Sequence, residues 1–173
     1  MLINCMLIFP VIIFFLLIAT LVTALFASAA PWLPTRRRDL GRVLRLAGIS
    51  PGERFYDLGC GDARIIIGAA ASGAVAVGYD ISLLPYLMAK IRLWKERSPA
   101  KIYFKNFYRQ NLRAADVVYL FLTPTAMPNV KKKFEAELKA GCRVVSYAFR
   151  IPGWTPTQID KDEKGQTAYL YVR

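Results

Sequence analysis

The sequence contains no histidine. The commonest general base and the commonest zinc ligand are therefore both missing, which excludes Ser-His-Asp, Cys-His and HExxH chemistry. Cysteine is scarce too. Cys5, Cys60 and Cys142 stand far apart, and none has CxxC spacing. An odd number of scattered cysteines makes neither a disulfide framework nor a zinc site, so we expect free thiols in a reducing compartment and no bound metal. Acidic side chains number 12 against 24 lysines and arginines, for a formal net charge of +12. From Met1 to Thr35 there is no charged side chain at all, so the basic excess belongs wholly to the residues from Arg36 onward.

That uncharged leader includes the run MLIFPVIIFFLLIATLVTALFASAAPWL, longer than the roughly 20 residues a helix needs to cross a bilayer. Ala27-Ser28-Ala29 offers an A-x-A cleavage pattern. The leader nevertheless has no basic n-region and exceeds the apolar stretch of about 7–15 residues usual in a secretory signal. Arg36-Arg37-Arg38 come at once after it, with Arg42 and Arg45 behind, and basic residues beside a span stay on the cytoplasmic side. The expectation is a single-pass membrane protein, touching lipid through a transmembrane anchor at residues 1–30. A lead-in segment with a first helix takes residues 31–50, and a domain at 51–173 lies on the cytoplasmic side, or the matrix side in a mitochondrion. Roughly 140 residues remain beyond the leader, enough for one buried core.

Pro31 and Pro34 end the span, and Thr35 reads as the N-cap of a short helix with apolar positions Leu40, Val43, Leu44 and Ala47. From residue 54 the pattern alternates. Strands are expected at 54–58, 74–80, 101–106, 116–122, 142–149 and 167–173. Helices are expected at 63–72, at 83–97, and around Val130, Phe134 and Leu138, closing at Gly141. The run DVVYLFL is apolar throughout, as in a central strand buried on both faces. Alternating strands and helices give an α/β fold with a mainly parallel sheet and right-handed crossovers. The antiparallel partner is expected to be the last strand.

Ligands of such sheets bind beyond the carboxyl ends of the strands, where the first strand turns into its helix. That turn reads YDLGCGDAR, Tyr56 to Arg64. Gly59 and Gly61 allow a tight turn and close backbone approach. A dinucleotide loop, G-x-G-x-x-G, would place a third small residue where Arg64 stands. Asp57 and Asp62 would set two carboxylates against a pyrophosphate, whereas they suit a ligand bearing an amino group and a sulfonium. Asp80, about 20 residues further on, can accept both hydroxyls of a ribose, and Asn106 has an amide to pair with an adenine edge. S-adenosyl-L-methionine is the best-fitting cofactor.

The segments DLGCGDAR, GYD, DVVYLFLTP and PWLPTRR resemble the class I S-adenosylmethionine-dependent methyltransferases. More narrowly, they resemble the small membrane-anchored lysine methyltransferases acting on the adenine nucleotide translocase and the ATP synthase c-subunit. The resemblance runs from about Pro31 to the C-terminus and implies a Rossmann-like methyltransferase sheet. It also implies that Asp57, Gly59 and Gly61 hold the methionine part of the donor, Asp80 the ribose and Asn106 the adenine, with Thr35 of the Leu33-Pro34-Thr35 segment beside them. Cys60 and Ala63 fill variable places of the family's loop.

For the methyl acceptor the resemblance implies a lysine of a membrane-embedded or membrane-proximal protein. Thr123, Pro124, Tyr147 and Trp154 are the candidates for its pocket, with Trp32 as a further aromatic that could steady a cationic amine. The N/D-P-P-Y stretch of adenine and amide methyltransferases is replaced by Leu122-Thr123-Pro124-Thr125. Arg36–38 and Lys131–133 could meet phosphates, but few aromatics interleave with them, which weighs against nucleic acid as a partner. The three lysines read as a solvated helix face. The competing functions are methylation of RNA or of a small molecule, and a membrane-tethered module that binds its nucleotide without turnover.

Overall fold

The computed structural model describes residues 9–20, 33–163 and 165–173. The chain divides into two units, Met1–Trp32 and Leu33–Arg173. In the first, residues 9–20 are helical, helix α1. Among the described residues no helix is long and apolar enough to cross a membrane. The rest of the expected anchor, with Cys5 and Trp32, lies outside the described residues.

The second unit is built on one seven-stranded sheet of order β3-β2-β1-β4-β5-β7-β6. The strands are β1 Arg54–Leu58, β2 Val75–Asp80, β3 Lys101–Phe104, β4 Val117–Leu120, β5 Arg143–Tyr147, β6 Gln158–Asp160 and β7 Ala168–Val172. β1 to β5 run parallel. β7 pairs antiparallel with β5 and β6 antiparallel with β7. Helices α2 Leu40–Ala47, α3 Arg64–Ala71, α4 Leu83–Lys95 and α5 Met127–Glu137 complete the unit.

Alternation along each strand divides the apolar residues between two faces. Phe55, Ala76, Val117, Tyr119 and Val145 form one core with Val43 of α2, Ile65 and Ile66 of α3 and Ala89 of α4. Leu58, Val118, Leu120 and Val144 form the other with Val130 and Phe134 of α5. β4 is buried along its whole length, as its continuous apolar run requires. The order of strands puts the carboxyl ends of β1 and β4 side by side, with those of β2 and β3 on one flank and of β5 on the other.

Several local expectations are corrected. Thr35 caps no helix: a 3-10 turn, Arg37–Asp39, precedes α2, and its N-cap Arg36 makes no side-chain cap bond. The Thr35 hydroxyl is taken up by Tyr119 instead. The third strand stops at Phe104, because the Asn106 side chain accepts from Tyr108 N and starts a 3-10 turn at Phe107–Arg109. β6 is three residues long, too short to leave a periodic signature. Lys133 is not solvated: its ammonium is buried and donates to Glu137 at 2.6 Å and to the carbonyls of Gln110 at 2.6 Å and Tyr108 at 3.2 Å, pinning α5 to the loop after β3.

Candidate active site

Asp57 is the penultimate residue of β1, in register with Gly78 of β2 on one side and Tyr119 of β4 on the other. It is only 2% exposed, and its Oδ1 has no hydrogen-bond partner. Burial, reinforced by the negative charges of Asp80 and Asp62, pushes the carboxyl well above its ordinary value. A buried carboxylate oxygen without a donor is costly, and a ligand bringing an N–H or a positive charge would satisfy it.

The chain turns immediately after this strand. Gly59 (φ 82°), Gly61 (φ 53°) and Ala63 (φ 66°) all take left-handed backbone angles, a conformation in which a Cβ is disfavoured. The loop lies across the end of β2. Gly59 N and Cys60 N both donate to the Tyr79 carbonyl, at 2.9 and 3.0 Å. Gly61 N donates to Asp80 Oδ2 at 2.8 Å, while Asp80 Oδ1 accepts from Ser82 N at 2.7 Å. Asp80 thus buttresses the loop from below, and a carboxylate with about four acceptor positions retains capacity for ribose hydroxyls.

Gly78 makes this contact possible. A Cβ placed there would stand 2.7 Å from both Cβ and Sγ of Cys60 and 3.1 Å from Ile66 Cδ1. We expect Gly78→Ala to displace the loop, destabilise the domain by about 1–3 kcal/mol and weaken donor binding; thermal melts with and without donor would measure both effects. Cys60 itself is buried. Burial and the charges of Asp57 and Asp80 raise its thiol far above the ordinary value, disfavouring the thiolate.

Asp62, which the sequence suggests as a carboxylate for a cationic ligand, is paired within the protein. It is held by Arg64 at 2.6 Å and Arg92 at 2.9 Å. Burial alone would raise its carboxyl, but the Arg64 hydrogen bond and the two guanidinium charges outweigh burial and hold it below the ordinary value. Arg64 also donates to the Thr35 carbonyl at 2.6 Å, and the Thr35 hydroxyl shares a buried 2.7 Å hydrogen bond with the Tyr119 hydroxyl. Thr35 is thereby fixed beside the strand pair that carries Asp57. Asn106 lies two residues beyond β3, whose Phe104 is in register with Asp80. Its Oδ1 accepts from Tyr108 N at 2.9 Å.

The acceptor candidates separate. Thr123 and Pro124 come after β4, with Thr123 Oγ1 and Thr125 Oγ1 bonded at 2.9 Å on the exposed surface. Tyr147, at the end of β5, is 1% exposed and donates its hydroxyl to Asp39 Oδ2. Burial, then the Asp39 bond and charge, push that hydroxyl up to about 12. Trp154 packs in the α5-side core against Phe134 and Tyr171, with its indole N–H on Glu135 at 3.2 Å. Two further aromatics have no distinguishing mark in the sequence. Phe121, just past β4, meets Tyr147 edge-on at 4.9 Å and stacks near Phe149 at 6.4 Å, forming a partly exposed aromatic wall beyond β4 and β5. Their apolar strand context hides them; only the end-on arrangement of the two strands reveals them.

An orphaned carboxylate oxygen, a left-handed glycine loop and a ribose-competent acid at the ends of adjacent strands fit a nucleoside ligand carrying positive charge. Known proteins bear this out. The family model of the ANTKMT methyltransferase domain matches residues 57–158. A protein-lysine N-methyltransferase of Saccharolobus islandicus is 40% identical, over 82% of this chain and 92% of its own length. The ATP synthase c-subunit lysine N-methyltransferase of Rattus norvegicus is 35% identical over 73% of this chain, which spans 59% of that relative. Among solved structures, an RNA methyltransferase from Salinibacter ruber in complex with S-adenosyl-L-homocysteine superposes with a TM-score of 0.76. It is 29% identical and covers 81% of this chain and 93% of its own. With its loop, sheet order and relatives in agreement, the chain belongs to the ANTKMT methyltransferase domain family and is an S-adenosylmethionine-dependent methyltransferase.

Proposed function

We propose that the protein methylates a lysine side chain of a protein lying in or beside a membrane, and that its apolar N-terminal segment holds it at that membrane with the domain on the cytoplasmic or matrix side. When bound, the donor would supply a methyl group on a positively charged sulfur. The lone pair of a neutral acceptor nitrogen would form the N–C bond in line as the S–C bond breaks, with the neutral thioether S-adenosylhomocysteine as leaving group. Asp57, with Gly59 and Gly61, would hold the methionine end, Asp80 the ribose and the Asn106 amide the adenine. Positioning then supplies most of the acceleration.

The observation that carries the lysine reading is the Phe121–Phe149 wall beyond β4 and β5, in a sequence with no histidine to serve as base. Aromatic faces stabilise a cationic amine. A lysine, ordinarily titrating near 10.4, is pushed toward its neutral, nucleophilic form by desolvation near a positive sulfonium. The two lysine methyltransferase relatives support the same acceptor. RNA is the competing substrate, since the Salinibacter neighbour is an RNA methyltransferase.

Incubating the full chain with tritiated donor and separated membrane, soluble-protein and RNA fractions decides between them. Label is expected in membrane proteins, as methyl-lysine by mass spectrometry. Label confined to RNA would overturn the reading. Phe121→Ala is expected to reduce the rate about 10-fold through KM for the acceptor, leaving donor affinity unchanged.

A further inference from the structure

Helix α4 is apolar on the side that faces away from its own sheet. At 100° per residue its inner half carries Pro85 and Ala89, both buried, with Tyr86 and Leu93 partly buried. The opposite half presents Leu83, Leu84, Leu87, Met88, Ile91 and Trp94, all exposed, up to 55% at Ile91 and 78% at Trp94. A surface helix ordinarily turns charge outward, and a helix apolar all round is ordinarily buried on all sides. Ile81 ahead of the helix and Phe104, 5.5 Å from the Tyr86 ring, are also exposed, and exposed apolar surface of this extent marks an interaction site.

The patch is rimmed by positive charge. Lys90 and Lys95 stand on its two edges. A groove of about 1150 Å³ between the C-terminal half of α4 and β3 adds Arg97 and Lys101, and no acid lines it. The single acid between residues 81 and 105, Glu96, is drawn toward Arg92 of the same helix at 3.9 Å. A second copy of the chain would meet this surface rim to rim, setting lysine against lysine.

We infer that α4 is an interfacial membrane-docking helix. Its apolar half sits at the acyl boundary of a bilayer, and Lys90, Lys95, Arg97 and Lys101 meet anionic lipid phosphates. An apolar face bordered by basic residues with a tryptophan at the boundary is what an in-plane helix requires. The first turn of α4 begins directly after Asp80, whose Oδ1 accepts from Ser82 N at 2.7 Å, so docking brings the donor site to the membrane surface. The inference is independent of which atom is methylated, and it adds a second membrane contact to the proposed N-terminal anchor.

The test uses the full chain with Trp32→Phe and Trp154→Phe, leaving Trp94 as the only tryptophan. The protein is added to vesicles with brominated acyl chains, with and without phosphatidylglycerol. Trp94 emission is expected to be blue-shifted and quenched by the brominated lipid, more strongly with phosphatidylglycerol. The further change Leu87→Glu with Ile91→Glu is expected to lower the quenched population by at least about 10-fold, with donor binding retained. Unquenched, solvent-like emission would overturn the inference. Blue-shifted but unquenched emission would overturn it too, assigning the patch to a second copy if the mass doubles and to the chain's own leader if it does not. Flotation of the same samples reports the N-terminal anchor separately, so either membrane contact can fail without the other. Should Trp154→Phe not fold, judged by lost donor binding, a nitroxide at Leu87→Cys in a chain carrying Cys5→Ser, with the buried Cys60 and Cys142 kept, gives the same depth reading.

Discussion

Asp57→Asn is expected to lower donor affinity by about 10- to 100-fold while raising the melting temperature of the donor-free protein. The affinity loss comes from removing a charge-assisted contact, worth about 1.5–3 kcal/mol. The stability gain arises because the wild-type carboxyl, buried with its Oδ1 unpartnered, must take up a proton on folding above the ordinary carboxylate range, whereas an amide enters the core already neutral. Calorimetric titration and thermal melts of the two proteins would measure both, and matching changes of the same sign would show that Asp57 is a structural residue only.

The raised Asp57 carboxyl fixes a pH dependence. Between the ordinary carboxylate value and the raised one, the folded donor-free protein binds a proton that the unfolded chain does not. Its stability therefore falls as pH rises through that window. A cationic ligand favours the ionised carboxylate, so binding releases the proton. Donor affinity accordingly strengthens as pH rises and levels off above the raised value. Asp57→Asn should abolish that slope.

Asp62→Ala is expected to cost about 3–5 kcal/mol, the range for removing one partner of a buried ion pair, and to lower the melting temperature by about 10 °C. The Asp62 side chain is 3% exposed, and its loss leaves Arg64 with only the Thr35 carbonyl and Arg92 with only the 3.9 Å pair to Glu96. Arg64 then loses its fixed geometry and with it the hold on the Thr35 carbonyl. Because the Asp62 carboxyl is held below its ordinary value, its contribution is present above the usual carboxylate range. It is lost as pH falls through the lowered value, opposite in sign to Asp57. Thermal melts across that range, wild type against variant, should converge at low pH.

Much of this is legible in the chain itself. The glycine loop, Asp57 and Asp80 are readable because strand-turn-helix chemistry is local: a short apolar strand, then residues that tolerate left-handed angles. The central place of β4 is readable from its uninterrupted apolar run. The hidden features depend on register. That Asp57 lies between Gly78 and Tyr119 is a matter of which strands pair, and no local pattern encodes it. The true partners of Asp62 are hidden for the same reason, since Arg92 is thirty residues away on another helix. Lys133 reads as solvated because its neighbours Lys131 and Lys132 are ordinary surface cations, and its burial is created by carbonyls of the loop after β3. The apolar outer half of α4 is visible as composition, but only the packing of Pro85 and Ala89 shows which half looks out.

The protonated state of Cys60 bears on chemoselectivity. A methyl donor is an alkylating agent, and a thiolate is a far better nucleophile than the amine of a lysine. A cysteine in the very loop that would cradle the donor invites self-alkylation, which would inactivate the enzyme after one event. Burial first, and then the charges of Asp57 and Asp80 that suit a cationic donor, push the Cys60 thiol away from ionisation. The site that favours the reagent thus also suppresses a competing acceptor in its own loop, leaving the methyl group to the substrate.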